Sequence, residues 1–242
     1  MRIDEVYIKN FKNLRNFKLD FDEKEMTTVL IGHNGTGKSN LIEAIVIIFR
    51  DLDLGNVPAF GYEIHYIIRS YDIKIFADPQ TKTHTKIIVD GKKVSHSNFN
   101  NNKDKYLPNN VFAYYSGPSN RLESHFDKHQ KKFYRELLNG KDIPLRPLFY
   151  ARNIHSQFAL LSYFSFPDDQ STIFLSEYLG ISGLESVLFV LKKPRSWKSK
   201  EGDERFWNAR GVVQGFLSEL YRCSLAPIRN KENIDIGFRK KN

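Results

Sequence analysis

I31-G-H-N-G-T-G-K-S-N40, set directly after M26-T-T-V-L30 and directly before L41-I-E-A-I-V-I-I-F-R50, decides the fold of this chain. Gly32, Gly37, Lys38 and Ser39 satisfy the pattern G-x-x-x-x-G-K-[ST]. A strand-like run before it and a helix-like run after it supply the context that gives the pattern meaning. Glycines let the backbone bend so that successive N–H groups point at phosphate oxygens, and the N-terminus of the following helix adds its positive dipole end. Lys38 then supplies a point charge between the β- and γ-phosphates, and the Ser39 hydroxyl is a ligand for Mg²⁺. The nucleotide-binding residues expected are Gly32, His33, Asn34, Gly35, Thr36, Gly37, Lys38, Ser39 and Asn40. His33 would offer its backbone N–H rather than its ring. A guanine-reading N-K-x-D element is missing, because NKDK at 102–105 and NKEN at 230–233 both fail at the last position. The expected cofactors are ATP and Mg²⁺.

Outward from the loop, the first thirty residues read as strands. Val6 and Ile8 alternate with Tyr7 and Lys9, Phe17, Leu19 and Phe21 alternate with Lys18 and Asp20, and Thr28 to Ile31 is expected as a short buried run. Residues 38–50 are apolar nearly all round, which predicts a helix buried on most sides. YEIHYII, YDIKIF and TKIIV within 62–89 are strand-like, with Asp90-Gly91 as a hairpin turn before Lys92 to Val94. The Asn-rich SHSNFNNNKDKYLPNN that follows is expected as a mobile loop, and VFAYY at 111–115 as a buried strand. Beyond it Asn120 with Glu123 suggests a capping box, with Leu122, Phe126, Phe133 and Leu137 on one helical face. Further helices are expected near 153–165, 169–179 and 204–222, and a strand at SVLFVL (186–191). The chain thus divides into a nucleotide-binding, sheet-rich part over 1–118 and a helix-rich lobe over 119–242.

The totals set limits. A chain of 242 residues with 40% apolar content can bury a sizeable core. The excess of 37 Lys and Arg over 28 Asp and Glu leaves a net charge of +9, which makes polyanions plausible partners. The single Cys223 forms no internal disulfide, and the N-terminus carries Asp4 and Glu5 where an export signal would need an apolar core. LIEAIVIIF is about half of the roughly 20 residues that a membrane span needs. A cytoplasmic protein without a membrane anchor is the expectation.

IKNFKNLRNFKLDF, followed after about ten residues by GHNGTGKSNLIEAI, resembles the opening of the SMC, RecF and OLD group of ABC-type ATPases. VFAYYSGPSNRLESHF, LFYARNIHSQFALL and GDERFWNARGVVQGFL look like segments of bacterial AAA-family ATPases encoded beside restriction or other phage-defence systems. The resemblance implies an α/β P-loop NTPase fold of ABC/SMC type, with a mixed sheet around a buried P-loop helix and a helical lobe. It implies that two copies pair head to head and sandwich ATP, that the ATP state controls dimerisation or a nuclease or restriction-system partner, and that DNA is bound on the face of the N-terminal strands. Lys9, Lys12, Arg15 and Lys18 would suit phosphate contacts there.

Hydrolysis needs a Walker B strand ending in Asp-Glu, and none is recognisable. In KIIVDGKK, Asp90 is followed by Gly91 and reads as a hairpin; SVLFVLKK ends in lysines, and NIDIGF has too short an apolar run. The signature turn is not recognisable either, LGISGLES (179–186) having the wrong spacing. The expectation is the first part of a longer ATPase, cut before its Walker B strand; the alternative is a nucleotide-binding module that does not hydrolyse. The Mg²⁺-sensing glutamine is not assignable: Gln80 is a weak candidate, and Arg121 is either a phosphate contact or an exposed first-turn residue. His125 and His129 share a helical face but lack a third ligand, so a metal there is not the expectation. KKPRSWKSK (192–200) has a composition suited to a single strand of nucleic acid, or to a charged surface loop. Phe206, Trp207, Val213, Phe216, Leu217 and Leu220 are expected in a core.

Overall fold

The structure is a computed structural model that describes residues 1–116, 119–142, 147–193 and 201–228. The stretch around Trp197, the segment NIDIGF and all of NKEN lie outside the described residues. The chain forms two compact units, one of residues 1–132 and 145–187, the other of 133–144 and 188–242.

In the first unit the alternating stretches become six antiparallel strands: β1 (Arg2–Phe11), β2 (Leu14–Asp20), β3 (Tyr62–Ile68), β4 (Tyr71–Ala77), β5 (Thr85–Val89) and β6 (Lys92–Val94). Their order is β2-β1-β3-β4-β5-β6. The β5–β6 hairpin turns at Asp90 (φ 50°) and Gly91 (φ 74°), the left-handed pair that a two-residue turn demands. A second sheet has two parallel strands, β7 (Val111–Tyr114) and β8 (Leu148–Ala151), so parallel and antiparallel pairing lie in separate sheets.

The helix after the glycine loop, α1 (Lys38–Leu54), is buried on most sides as its composition requires. Leu41, Ala44, Ile47 and Ile48 join Val6, Ile8, Ile64, Tyr66, Ile73 and Ile75 of the large sheet in one core. Phe49 and Tyr66 meet edge to face at 5.6 Å. Another part of α1, Val46, packs with Leu122, Phe126, Leu148 and Tyr150, which ties the small sheet to the same helix.

Several expectations are corrected. Thr28 to Ile31 is unpaired and mostly exposed: Val29 is 75% and Ile31 91% exposed, Leu30 packs against the core, and no described strand lies alongside to supply main-chain partners. An apolar run becomes a strand only where a neighbour completes its hydrogen bonds. The Asn-rich stretch is not a loop but two short helices, α2 (His96–Asn101) and α3 (Lys103–Tyr106). Ser95 caps α2 by accepting from the Asn98 N–H, and Phe99 is buried against Tyr106. Asn120 and Glu123 make no capping box; a 3₁₀ turn over Glu123–Phe126 leads directly into α4 (Asp127–Leu138).

The expected helix over 153–165 is α5 (Asn153–Ser165), whereas the next runs as α6 (Asp169–Ile173) and then a wider π-type turn over Phe174–Tyr178. SVLFVL is not a strand. In the second unit a 3₁₀ turn at Glu204–Phe206 precedes α7 (Gly211–Cys223), and Phe206, Ala209 and Leu217 form a small core with Val213 and Tyr221. Phe216 stays 57% exposed, on the outer side of α7. A β-carbon at Gly211 would stand 2.3 Å from the Gly140 carbonyl oxygen, so that approach admits glycine alone.

Candidate functional site

The loop is held open by backbone geometry that only its glycines supply. Gly35 (φ 87°) and Gly37 (φ 105°) are left-handed, and a β-carbon at Gly37 would stand 2.9 Å from Asn13 Oδ1 and from Leu14 Cδ2. Gly37 caps α1, whose first turn starts with the Leu41 N–H donating to the Gly37 carbonyl at 2.9 Å. Thr36 Oγ1 donates to the His33 carbonyl at 2.9 Å and draws the loop into a turn. Lys38 Nζ donates to the carbonyls of Gly32 (2.5 Å) and His33 (2.8 Å). Its ammonium group therefore lies over the loop, and Ser39, the first hydroxyl of the helix, follows it in sequence. Residues 32–40 thus stand together as one cradle, with an ammonium group at the N-terminal end of a buried helix, an arrangement that suits a polyphosphate.

Two stretches remote in sequence support this cradle. The turn between β1 and β2 brings Asn13, whose Nδ2 donates to the Gly35 carbonyl at 3.0 Å while its Oδ1 accepts from Asn40 Nδ2 at 2.5 Å. From beyond β7 comes Arg121, which donates to Asn40 Oδ1. Arg121 is thus not an exposed helix residue: it also reaches Glu43. Glu43, buried on α1, accepts from Lys12, Arg121 and His125. Burial alone would push its carboxyl up, but those hydrogen bonds outweigh it and hold the group at about 2, below its ordinary 4.5.

A depressed carboxyl contributes stability that is complete above pH 4.5 and is lost as pH falls toward 2, here on the order of 2 kcal/mol after discounting for its half-exposed partners. Urea unfolding between pH 5 and 2.5 should therefore weaken the unaltered protein more steeply than Glu43→Gln. Equal slopes would refute the assignment.

Each of the four basic residues of the N-terminal strands has a partner of its own. On β2, Lys18 stands across from Tyr7 and Arg15 across from Asn10. Lys9 pairs with Asp78 at 3.0 Å, Lys18 with Glu5 at 2.6 Å, Arg15 with Asn10, and Lys12 turns in to Glu43. His125 meets Glu43, and His129 meets Asp53 at 2.7 Å. No cluster of metal-ligating side chains exists among the described residues. Gln80 sits in the β4–β5 turn with its N–H on Asp78. Asp90 exchanges main-chain and side-chain bonds with Asp72, as a hairpin residue does. No helix among the described residues is long and apolar enough to cross a membrane.

Residues 1–166 match the family described as AAA ATPase domain. The DNA replication and repair protein RecF of Caldanaerobacter subterraneus subsp. tengcongensis is 28% identical over 160 residues, 57% of this chain and 42% of that protein. RecF of Bacillus cytotoxicus is 42% identical over 48 residues, 20% of this chain and 12% of that protein. The retron Ec83 probable ATPase of Escherichia coli is 36% identical over 45 residues, 19% of this chain and 8% of that protein. The chain spans less than half the length of these relatives. A solved structure described as "Structural biochemistry of ATP-driven dimerization and DNA stimulated activation of SMC ATPases" aligns at a TM-score of 0.35 and 18% identity, over 57% of this chain and 98% of that one.

Proposed function

The chain belongs to the AAA ATPase domain family, an SMC/RecF-like group of P-loop ATPases, and from that premise we propose that residues 32–39 bind Mg-ATP within a DNA-linked or phage-defence ATPase. One observation carries the reading: the left-handed glycines Gly35 and Gly37 deliver Lys38 and Ser39 to the first turn of a buried helix. The donor set fits the ligand. Main-chain N–H groups and the Lys38 ammonium suit phosphate oxygens, and the Ser39 hydroxyl suits a hard divalent cation. When bound, Mg²⁺ neutralises charge on the phosphates. The chain's own part is to hold the loop's shape through Asn13, Thr36 and Asn40, and to keep one cation above it.

Partners follow the same reading. DNA is supported by the likeness to RecF, a DNA replication and repair protein, over part of its length; the head-to-head homodimer and a nuclease or restriction-system protein rest on the resemblance of the sequence motifs alone. Lys9, Lys12, Arg15 and Lys18 remain the N-terminal cations proposed for DNA, with Lys9, Lys12 and Lys18 each already paired with an acid.

A second reading rests on a specific observation. Among the described residues no strand ends in Asp-Glu, and Asp90, the nearest match, is fixed in a hairpin. Residues 1–242 alone should bind Mg-ATP in a calorimetric titration, prefer it to GTP, and release phosphate no faster than buffer. Absence of saturable Mg-ATP binding would refute the nucleotide reading, and turnover above background would refute the second reading, a nucleotide-binding module that does not hydrolyse.

A further inference from the structure

Glu43 lies one helical turn beyond Ser39, and with Asp51 it is one of two buried acids on a helix whose inward neighbours Leu41, Ala44, Ile47 and Ile48 are apolar. Its side chain is 5% exposed. Donors from two separate stretches converge on it. Lys12 Nζ lies 2.6 Å from both carboxylate oxygens. Arg121 reaches Oε2 through Nε at 3.0 Å and Nη2 at 2.5 Å, and His125 Nε2 reaches Oε1 at 3.0 Å. The ring's orientation is settled from behind: Arg50 Nη1 faces His125 Nδ1 at 2.8 Å, and a guanidinium only donates, so Nδ1 accepts and Nε2–H points at Glu43. Arg50 is itself held by Asp51, at 2.8 and 2.9 Å.

Both stretches anchored on Glu43 continue to the phosphate loop. Asn13, adjacent to Lys12, holds the Gly35 carbonyl and Asn40. Arg121 holds the other end of the Asn40 amide, so that amide has its Nδ2 and its Oδ1 each fixed by a different segment. A buried ion cluster of this kind contributes little to stability that a well-packed apolar side chain could not. What a leucine at 43 could not do is fix the two segments that grip the loop.

We infer that Glu43 is a positioning residue of the nucleotide site: it anchors Lys12–Asn13 and Arg121 so that they hold Gly35 and Asn40 in the shape that accepts a triphosphate. This rests on the nucleotide reading above. The test is Mg-ATP affinity by equilibrium titration, with thermal unfolding measured on the same samples. Glu43→Gln and Glu43→Leu should each weaken Mg-ATP about tenfold, the scale of a lost supporting shell. Glu43→Leu should melt at or above the temperature of Glu43→Gln without recovering affinity, which a merely structural role would not produce.

Asn13→Ala tests the same link from an exposed turn, without disturbing the buried carboxylate, and should show a similar loss even if neither Glu43 variant folds. Affinities for Asn13→Ala, or for a folded Glu43 variant, within about twofold of the unaltered chain would overturn the inference and leave the nucleotide reading intact. If the unaltered chain itself does not bind Mg-ATP, the nucleotide reading fails and this one with it.

Discussion

Lys38→Ala is expected to abolish Mg-ATP binding, with affinity falling by at least about a hundredfold, the value of one or two charge-assisted hydrogen bonds to phosphate. The reason is local. Lys38 Nζ already bonds the Gly32 and His33 carbonyls, so its charge is fixed above the loop without any further rearrangement of the helix. Alanine leaves α1 intact, because it favours helix and Lys38 is outside the buried set of that helix. Thermal unfolding should therefore stay essentially in place while the titration loses its signal. Lys38→Arg keeps the charge but replaces a compact ammonium by a planar fork and should recover only part of the affinity. Retention of affinity within about twofold in Lys38→Ala would leave residues 32–39 without a phosphate-binding role.

Phe126→Ala should be the most damaging single change to the fold around the site, costing about 3–5 kcal/mol as large-to-small changes at buried aromatics do. Phe126 is 1% exposed and packs with Val46 of α1, Leu122 and Leu148, its ring 5.6 Å from that of Tyr150. It is thus the apolar fastening between the P-loop helix and the small parallel sheet. The cavity would open next to His125, which carries a bond to Glu43. Chemical denaturation should show the loss directly, and Mg-ATP affinity should fall together with it. Phe216→Ala, at an exposed position on α7, is the contrasting control and should change stability little. Comparable costs for the two would contradict the packing described.

What could be read from residues alone follows the range of the forces involved. The six antiparallel strands, the Asp90–Gly91 turn and α1 were legible because period-two alternation, a left-handed turn pair and an all-round apolar helix are local signals. The turn of the glycine loop into α1 was legible for the same reason. The fate of Thr28 to Ile31 was not, since a strand exists only with a neighbour. Phe99 and Tyr106 were hidden by the asparagines around them, although one apolar anchor and a Ser cap suffice for a short helix against a sheet.

Glu43 was the largest omission at the site. Its donors lie 31, 78 and 82 residues away, beyond any pattern. One signal was nevertheless present: an acid inside a helix that is apolar on every side must be buried, and a buried carboxylate must find donors. Arg121 and His125, with Lys12, were the donors available to it.

The uncovered stretch from Met26 to Ile31 has a practical corollary. A β-prone ribbon with bare main-chain amides recruits other backbones in concentrated solution, and the acidic and basic residues just before it, Asp22, Glu23, Lys24 and Glu25, are the kind of gatekeepers that slow such stacking. Preparations of residues 1–242 should accordingly be kept dilute and at low salt, where those charges repel most strongly.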